Sequence, residues 1–212
     1  MERFWKDGQV VLFQGDSITD CGRNREDEKS LGNGYANKIV EIYNNLFPEH
    51  KVTFINKAIS GDRSKDLLDR YEKDIRDIRP DFISIMIGIN DVWRKFDSND
   101  PTSTEQFKAN YRKVLSSIKR ECPDTKIMIL EPYVLDTLED RKQWYDTLDP
   151  IIRAVRDLAQ EYADYYLPVE GILHSYISKG IQKEKIAADG VHPTQTGHGI
   201  IAYEYMKLLN IL

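Results

Sequence analysis

Short apolar runs alternating with longer stretches of helical periodicity constrain this chain more than any other feature of it. Residues 10–14, 52–55, 82–87, 126–130 and 164–167 each read as a strand. Between them, Ile39, Ile42, Tyr43 and Leu46, then Leu67, Leu68, Tyr71, Ile75 and Ile78, then Phe107, Tyr111, Val114, Leu115 and Ile118 recur at helical spacing. The second of these faces ends before Pro80, and Thr102, Ser103 or Thr104 is available to cap the third. Pro150 would break a helix running from 140 to 162, so the reading starts a helix there, with Asp149 as cap and Pro150 as its first residue. Thr194 caps a closing helix that runs to Leu209. Strands that must each feed a helix before the next strand pair in parallel, through right-handed crossovers. The expected architecture is therefore α/β, a three-layer α/β/α sandwich around a central parallel sheet. With no linker or low-complexity tract in 212 residues, it is expected to form one domain over 1–212.

Composition serves mainly to exclude. The 30 Lys+Arg and 35 Asp+Glu are interleaved and leave a net charge of −5, which argues against a phosphate-binding footprint and hence against a nucleic-acid partner. No apolar run approaches the roughly 18 residues of a membrane span, and residues 1–9 carry charges where an export signal needs an apolar stretch. Cys21 and Cys122 lack any metal-ligand spacing and read as reduced thiols. A cytoplasmic protein with no membrane partner and no metal is the expectation.

In a parallel sheet of this kind ligands bind beyond the C-terminal ends of the strands, so the loops there are the ones to search. After the first strand comes Gly15-Asp16-Ser17-Ile18-Thr19, which either presents a hydroxyl at the rim or merely caps a turn. After the second comes Asn56-Lys57-Ala58-Ile59-Ser60-Gly61, where Gly61 would let a backbone N–H approach a ligand. After the third comes Gly88-Ile89-Asn90-Asp91, with an amide donor in Asn90. Near the C-terminus, Asp189 and His192 are three residues apart across a glycine turn, spacing that lets the carboxylate hold one imidazole nitrogen while the other faces a nucleophile.

GDSIT at 15–19, the segment from Asn56 to Gly61, GIND at 88–91 and DGVHP at 189–193 resemble the four blocks of the SGNH/GDSL hydrolases, in that family's order and at its spacing. The resemblance spans nearly the whole chain. It implies a flavodoxin-like sheet, Ser17 as nucleophile, His192 as general base and Asp189 as the residue that orients it. It further implies an oxyanion hole made of Ser17 N–H, Gly61 N–H and the Asn90 side chain, and neither metal nor organic cofactor. The family usually carries a second glycine where this chain has Ala58.

GDSITDCGR at 15–23, NKAISGD at 56–62 and SIMIGINDVWR at 84–94 are similar to a bacterial subgroup of intracellular acetyl-xylooligosaccharide esterases. This similarity implies a small-molecule ester substrate, an acetylated oligosaccharide, and assembly as a homo-oligomer. Asp16 and Trp93 are the residues expected on the substrate side. A short-chain lipase or thioesterase would share the same triad, and a catalytically silent carbohydrate-binding relative would share the fold. A metallophosphoesterase fits worse, because Asn90 is followed by Asp91 and not by histidine.

Overall fold

The computed structural model describes residues 4–212; the first three, part of the segment considered above as an export signal, lie outside the described residues. Five parallel strands form the sheet: β1 (Val10–Gly15), β2 (Thr53–Asn56), β3 (Phe82–Met86), β4 (Lys126–Leu130) and β5 (Tyr165–Leu167), in the order β2-β1-β3-β4-β5. Register pairs Leu12 with Ile55 on one side and with Ile83 on the other, and Ile83 with Ile127. β3 is buried at every position and β1 at all but its first, as expected of strands covered on both faces.

Nine α-helices surround the sheet among the described residues: α1 (Ser17–Asp20), α2 (Tyr35–Leu46), α3 (Ser64–Asp69), α4 (Ile89–Asp97), α5 (Thr104–Glu121), α6 (Tyr145–Tyr162), α7 (Val169–Ser178), α8 (Lys183–Ile186) and α9 (Gln195–Leu208). The helix that crosses from β1 to β2 and those that cross in the opposite direction fall on opposite faces by the right-handed rule. Accordingly α2 packs against α9, while α3, α5 and α6 pack in a row on the other side. No helix of the described residues is long and apolar enough to cross a membrane.

Two expectations need correction. Pro150 does not start a helix: it lies inside α6, which begins at Tyr145. The proline is exposed, as is Asp146, whose carbonyl loses its intrahelical partner, so water can satisfy that oxygen. Leu148, Ile151 and Ile152 meanwhile carry one buried face through the proline. The helical face proposed for 67–78 is also not continuous. α3 ends at Asp69 and a wider turn follows over Glu72–Arg76, closed by Asp77 N donating to Glu72 O at 2.9 Å. Between them stands Arg70, whose guanidinium bonds Asp62, Asp74 and the carbonyls of Lys57 and Gly15, tying this segment to the loops above β1 and β2. By contrast Thr194 caps α9 as expected, its hydroxyl accepting from Thr196 and Gly197 N.

The strand order places the site. From β1 the chain moves outward to β2 and then returns past β1 to β3, so the connections leaving β1 and β3 diverge and open a crevice between them. Ser17 follows β1 and Asn90 follows β3. At the mouth of this crevice Gly15 has φ +152°, and a Cβ there would lie 2.3 Å from Met86 O, so no other residue fits between the two strands.

Candidate active site

α1 begins immediately after β1, and Ser17 is its first residue. Asp16 caps it, its Oδ1 accepting from Ile18 N at 3.0 Å. The turn-capping role considered for this loop is thus real for Asp16, and it leaves Ser17 projecting, half-buried, at the rim. Asp16 itself is 1% exposed, which leaves no surface for the substrate contact expected of it. Burial pushes its carboxyl up to about 7, against the bond from Ile18, and its Oδ2 has no hydrogen-bond partner among the described residues.

The glycine turn at 189–192 brings its two functional side chains together. His192 Nδ1 lies 2.6 Å from Asp189 Oδ2, and His192 Nε2 lies 3.0 Å from Ser17 Oγ. Asp189 Oδ1 accepts from the backbone N–H of Val191 at 2.9 Å and of His192 at 2.8 Å. Burial pulls Asp189 up, but the bonds from the imidazole and these two amides outweigh it and bring the carboxyl to about 2. An ionised carboxylate only accepts, so Nδ1 carries the proton and Nε2 presents its lone pair to the Ser17 hydroxyl. The bond to Asp189 raises His192 above the ordinary imidazole value in spite of partial burial. With His192 as the expected general base, which must be neutral to act, kcat/KM should fall on the acid side with a midpoint above about 6.5, measurable as the pH profile of p-nitrophenyl acetate hydrolysis.

Asn90 is the second residue of α4 and 3% exposed. Its Nδ2 donates to Asp62 O at 3.0 Å, which uses one amide hydrogen and leaves the other. Gly61 has φ +91° and open space on the side where a Cβ would stand, so it is the backbone conformation and not crowding that calls for glycine.

Buried polar contacts lock the rim loops together. Asp20 Oδ2 accepts from the amide and the hydroxyl of Ser60, both at 2.8 Å, joining α1 to the loop after β2. Asn56 Nδ2 donates to Thr19 O at 2.8 Å, and its Oδ1 accepts from Ala58 N at 3.0 Å. Asp91, fully buried, accepts from Ser64 N and Oγ at 2.9 and 2.8 Å; burial pushes its carboxyl up to about 6 against those two bonds. Trp93, the other residue expected on the substrate side, lies with its ring centroid 5.7 Å from that of His192. Sequence reasoning missed Asp20, Arg70, Tyr133, whose Oη donates to Val191 O, and Arg141, whose Nε donates to Asp189 O. All four bond to groups remote in sequence; Asp20 stands inside the 15–23 block and Arg70 inside the 67–78 face, but neither pattern specifies the partner that the folded chain brings to it.

The GDSL-like Lipase/Acylhydrolase family matches residues 13–200. An acetylxylan esterase from Geobacillus stearothermophilus is 34% identical over 206 residues, covering 94% of this chain and 93% of that protein. The structure of that organism's acetylxylan esterase Axe2 superposes with a TM-score of 0.86 at 31% identity, over 96% of this chain and 95% of the other. A protein from Parabacteroides merdae described as a GDSL-like lipase superposes with a TM-score of 0.91 at 29% identity, over 98% of both chains. Structures of catalytic mutants of Axe2 include changes of a serine, an aspartate and a histidine to alanine. The chain belongs to the GDSL-like lipase/acylhydrolase family.

Proposed function

We propose that this esterase removes acetyl groups from xylooligosaccharides, with Ser17 as nucleophile, His192 as general base and Asp189 as its orienting partner. The observation that carries the catalytic part is the unbroken chain from Ser17 Oγ through the imidazole to Asp189, at 3.0 and 2.6 Å. His192 Nε2 takes the Ser17 proton as Oγ attacks the acetyl carbonyl, and Asp189 stabilises the imidazolium that forms. The oxyanion is held by Ser17 N–H, Gly61 N–H and the second amide hydrogen of Asn90. As the intermediate collapses and the bond from the acetyl carbon to the sugar oxygen breaks, the imidazolium gives that oxygen its proton and the sugar leaves as the alcohol. Water repeats the attack on the acetyl-enzyme and releases acetate, so the reaction needs neither metal nor organic cofactor. Asn90→Ala should lower kcat about 10²- to 10³-fold, the usual loss for one oxyanion donor, with the fold checked by circular dichroism.

The substrate class is supported by the acetylxylan esterase relatives and by the position of Trp93, a half-buried aromatic ring beside His192. Assembly as a homo-oligomer and work in the cytoplasm on imported oligosaccharides accompany this reading and rest on the family resemblance. The test is acetate release from acetylated xylooligosaccharides, compared with hydrolysis of p-nitrophenyl acetate, butyrate and octanoate and of acetyl thioesters. Preference for the acetylated sugar over all of these supports the proposal. Preference for the longer acyl chains or the thioester would instead make it a short-chain lipase or thioesterase. Sugar binding without turnover would make it a silent carbohydrate binder.

A further inference from the structure

Between β4 and α6 the chain takes a long detour over residues 131–144, and this detour grips the turn that carries Asp189 and His192. Tyr133 Oη donates to Val191 O at 2.6 Å, Leu135 N to Gly190 O at 2.8 Å and Arg141 Nε to Asp189 O at 3.0 Å. Each of three consecutive carbonyls in the turn thus receives one donor from the same segment. Of the three donors only Arg141 is charged. Its side chain is 9% exposed, with the guanidinium carbon 4.1 Å from the centroid of the Trp144 ring and 5.3 Å from that of Trp93, and it pairs with Asp140. A cation at this depth is costly to desolvate and persists where its donors and its flat faces are used. Here they are used on the backbone of the Asp189 turn and on Trp93, which belongs to the same helix as Asn90 and lies beside His192.

We propose that Arg141 is a positioning residue for ester hydrolysis: anchored by Trp93 and Trp144, it holds the Asp189–His192 turn against Ser17. The proposal rests on the reading of His192 as general base. The groups whose charge bears on His192 are Asp189 and, where it is ionised, Asp16, whose own carboxyl is pushed up to about 7; both favour its protonation, and Arg141 opposes it. His198, on α9, is also within reach but stays neutral, because burial brings it down to about 4. Removing the Arg141 cation therefore raises the proton affinity of His192, and the acid limb of activity moves to higher pH.

Two variants separate the hydrogen bond from the charge. Arg141→Met keeps the aliphatic stem and removes both, whereas Arg141→Lys keeps the charge without the planar fork. With p-nitrophenyl acetate, Arg141→Met should lose about 10²-fold in kcat with KM nearly unchanged, the size of effect expected when catalytic groups shift by about 1 Å. Its acid limb should move to higher pH. Arg141→Lys should show a similar loss of kcat with the limb close to that of the wild type. A folded Arg141→Met protein with wild-type kcat and an unmoved limb would overturn the proposal, even if its melting temperature falls, because that is a purely structural role. Should Arg141→Met fail to fold, Arg141→Lys decides alone: retention of wild-type kcat overturns the proposal. Ser17→Ala and His192→Ala are assayed in parallel. If they keep wild-type rates the site assignment itself fails and the proposal with it, whereas their inactivity beside an unaffected Arg141 series condemns only the role of Arg141.

Discussion

His192→Ala is expected to lower kcat for p-nitrophenyl acetate by about 10⁶-fold, as loss of the base from a serine–histidine pair does elsewhere, while leaving the protein folded. The reason lies in the proton arrangement at the site. Ser17 Oγ has its acceptor in His192 Nε2 at 3.0 Å. Without the imidazole, the hydroxyl must give its proton to water as it attacks, and a free serine is a poor nucleophile at neutral pH. Stability should hardly change, because the His192 side chain is 45% exposed and its removal opens no cavity in the core. The check is steady-state kinetics together with a thermal melt. A large loss of rate with a small change in melting temperature is the expected result.

Asp189→Asn should cost about 10⁴-fold in kcat, more than its small change in shape would suggest. Asp189 Oδ2 accepts from His192 Nδ1, and Oδ1 accepts from the amides of Val191 and His192. An asparagine can satisfy those two amides with its carbonyl, but it then turns its NH₂ toward Nδ1. Nδ1 must become the acceptor, the ring proton moves to Nε2, and Nε2 can no longer take the Ser17 proton. The variant also loses the carboxylate that raises His192, so the acid limb of whatever activity remains should move to lower pH. That movement is opposite in direction to the one expected for Arg141→Met, so the two effects can be told apart in one pH series.

The strands were legible because a sheet covered on both faces needs continuous apolar runs, and the runs at 10–14, 82–87 and 126–130 are such runs. Once the sheet is parallel, its C-terminal rim follows, and that rim is where Ser17, Gly61 and Asn90 stand. Asp189 and His192 lie on no strand end. Their joint placement was readable because a three-residue separation across Gly190 leaves little freedom. The helical nature of 17–20 and 89–97 escaped for the opposite reason: α1 is a single turn, and α4 carries the polar pair Asn90 and Asp91, both buried, in its first turn. Burial of a polar side chain depends on partners far along the chain, here Asp62 for Asn90 and Ser64 for Asp91, and local sequence carries no trace of them. Pro150 misled because the lost hydrogen bond of a helical proline costs less where the residues concerned, Asp146 and Pro150, are both exposed. The brace from Tyr133, Leu135 and Arg141 to the 189–191 turn was invisible for the same reason as the buried partners. It joins segments about fifty residues apart in sequence and leaves no pattern in either.

The nucleophile is tested most directly by treating the protein with a fluorophosphonate and locating the adduct by intact-mass and peptide mass spectrometry. Ser17 is expected to take up a single adduct, with esterase activity lost in proportion to labelling, while the folded Ser17→Ala protein takes up none and hydrolyses nothing. Labelling at another residue, or activity that survives in Ser17→Ala, would contradict the account.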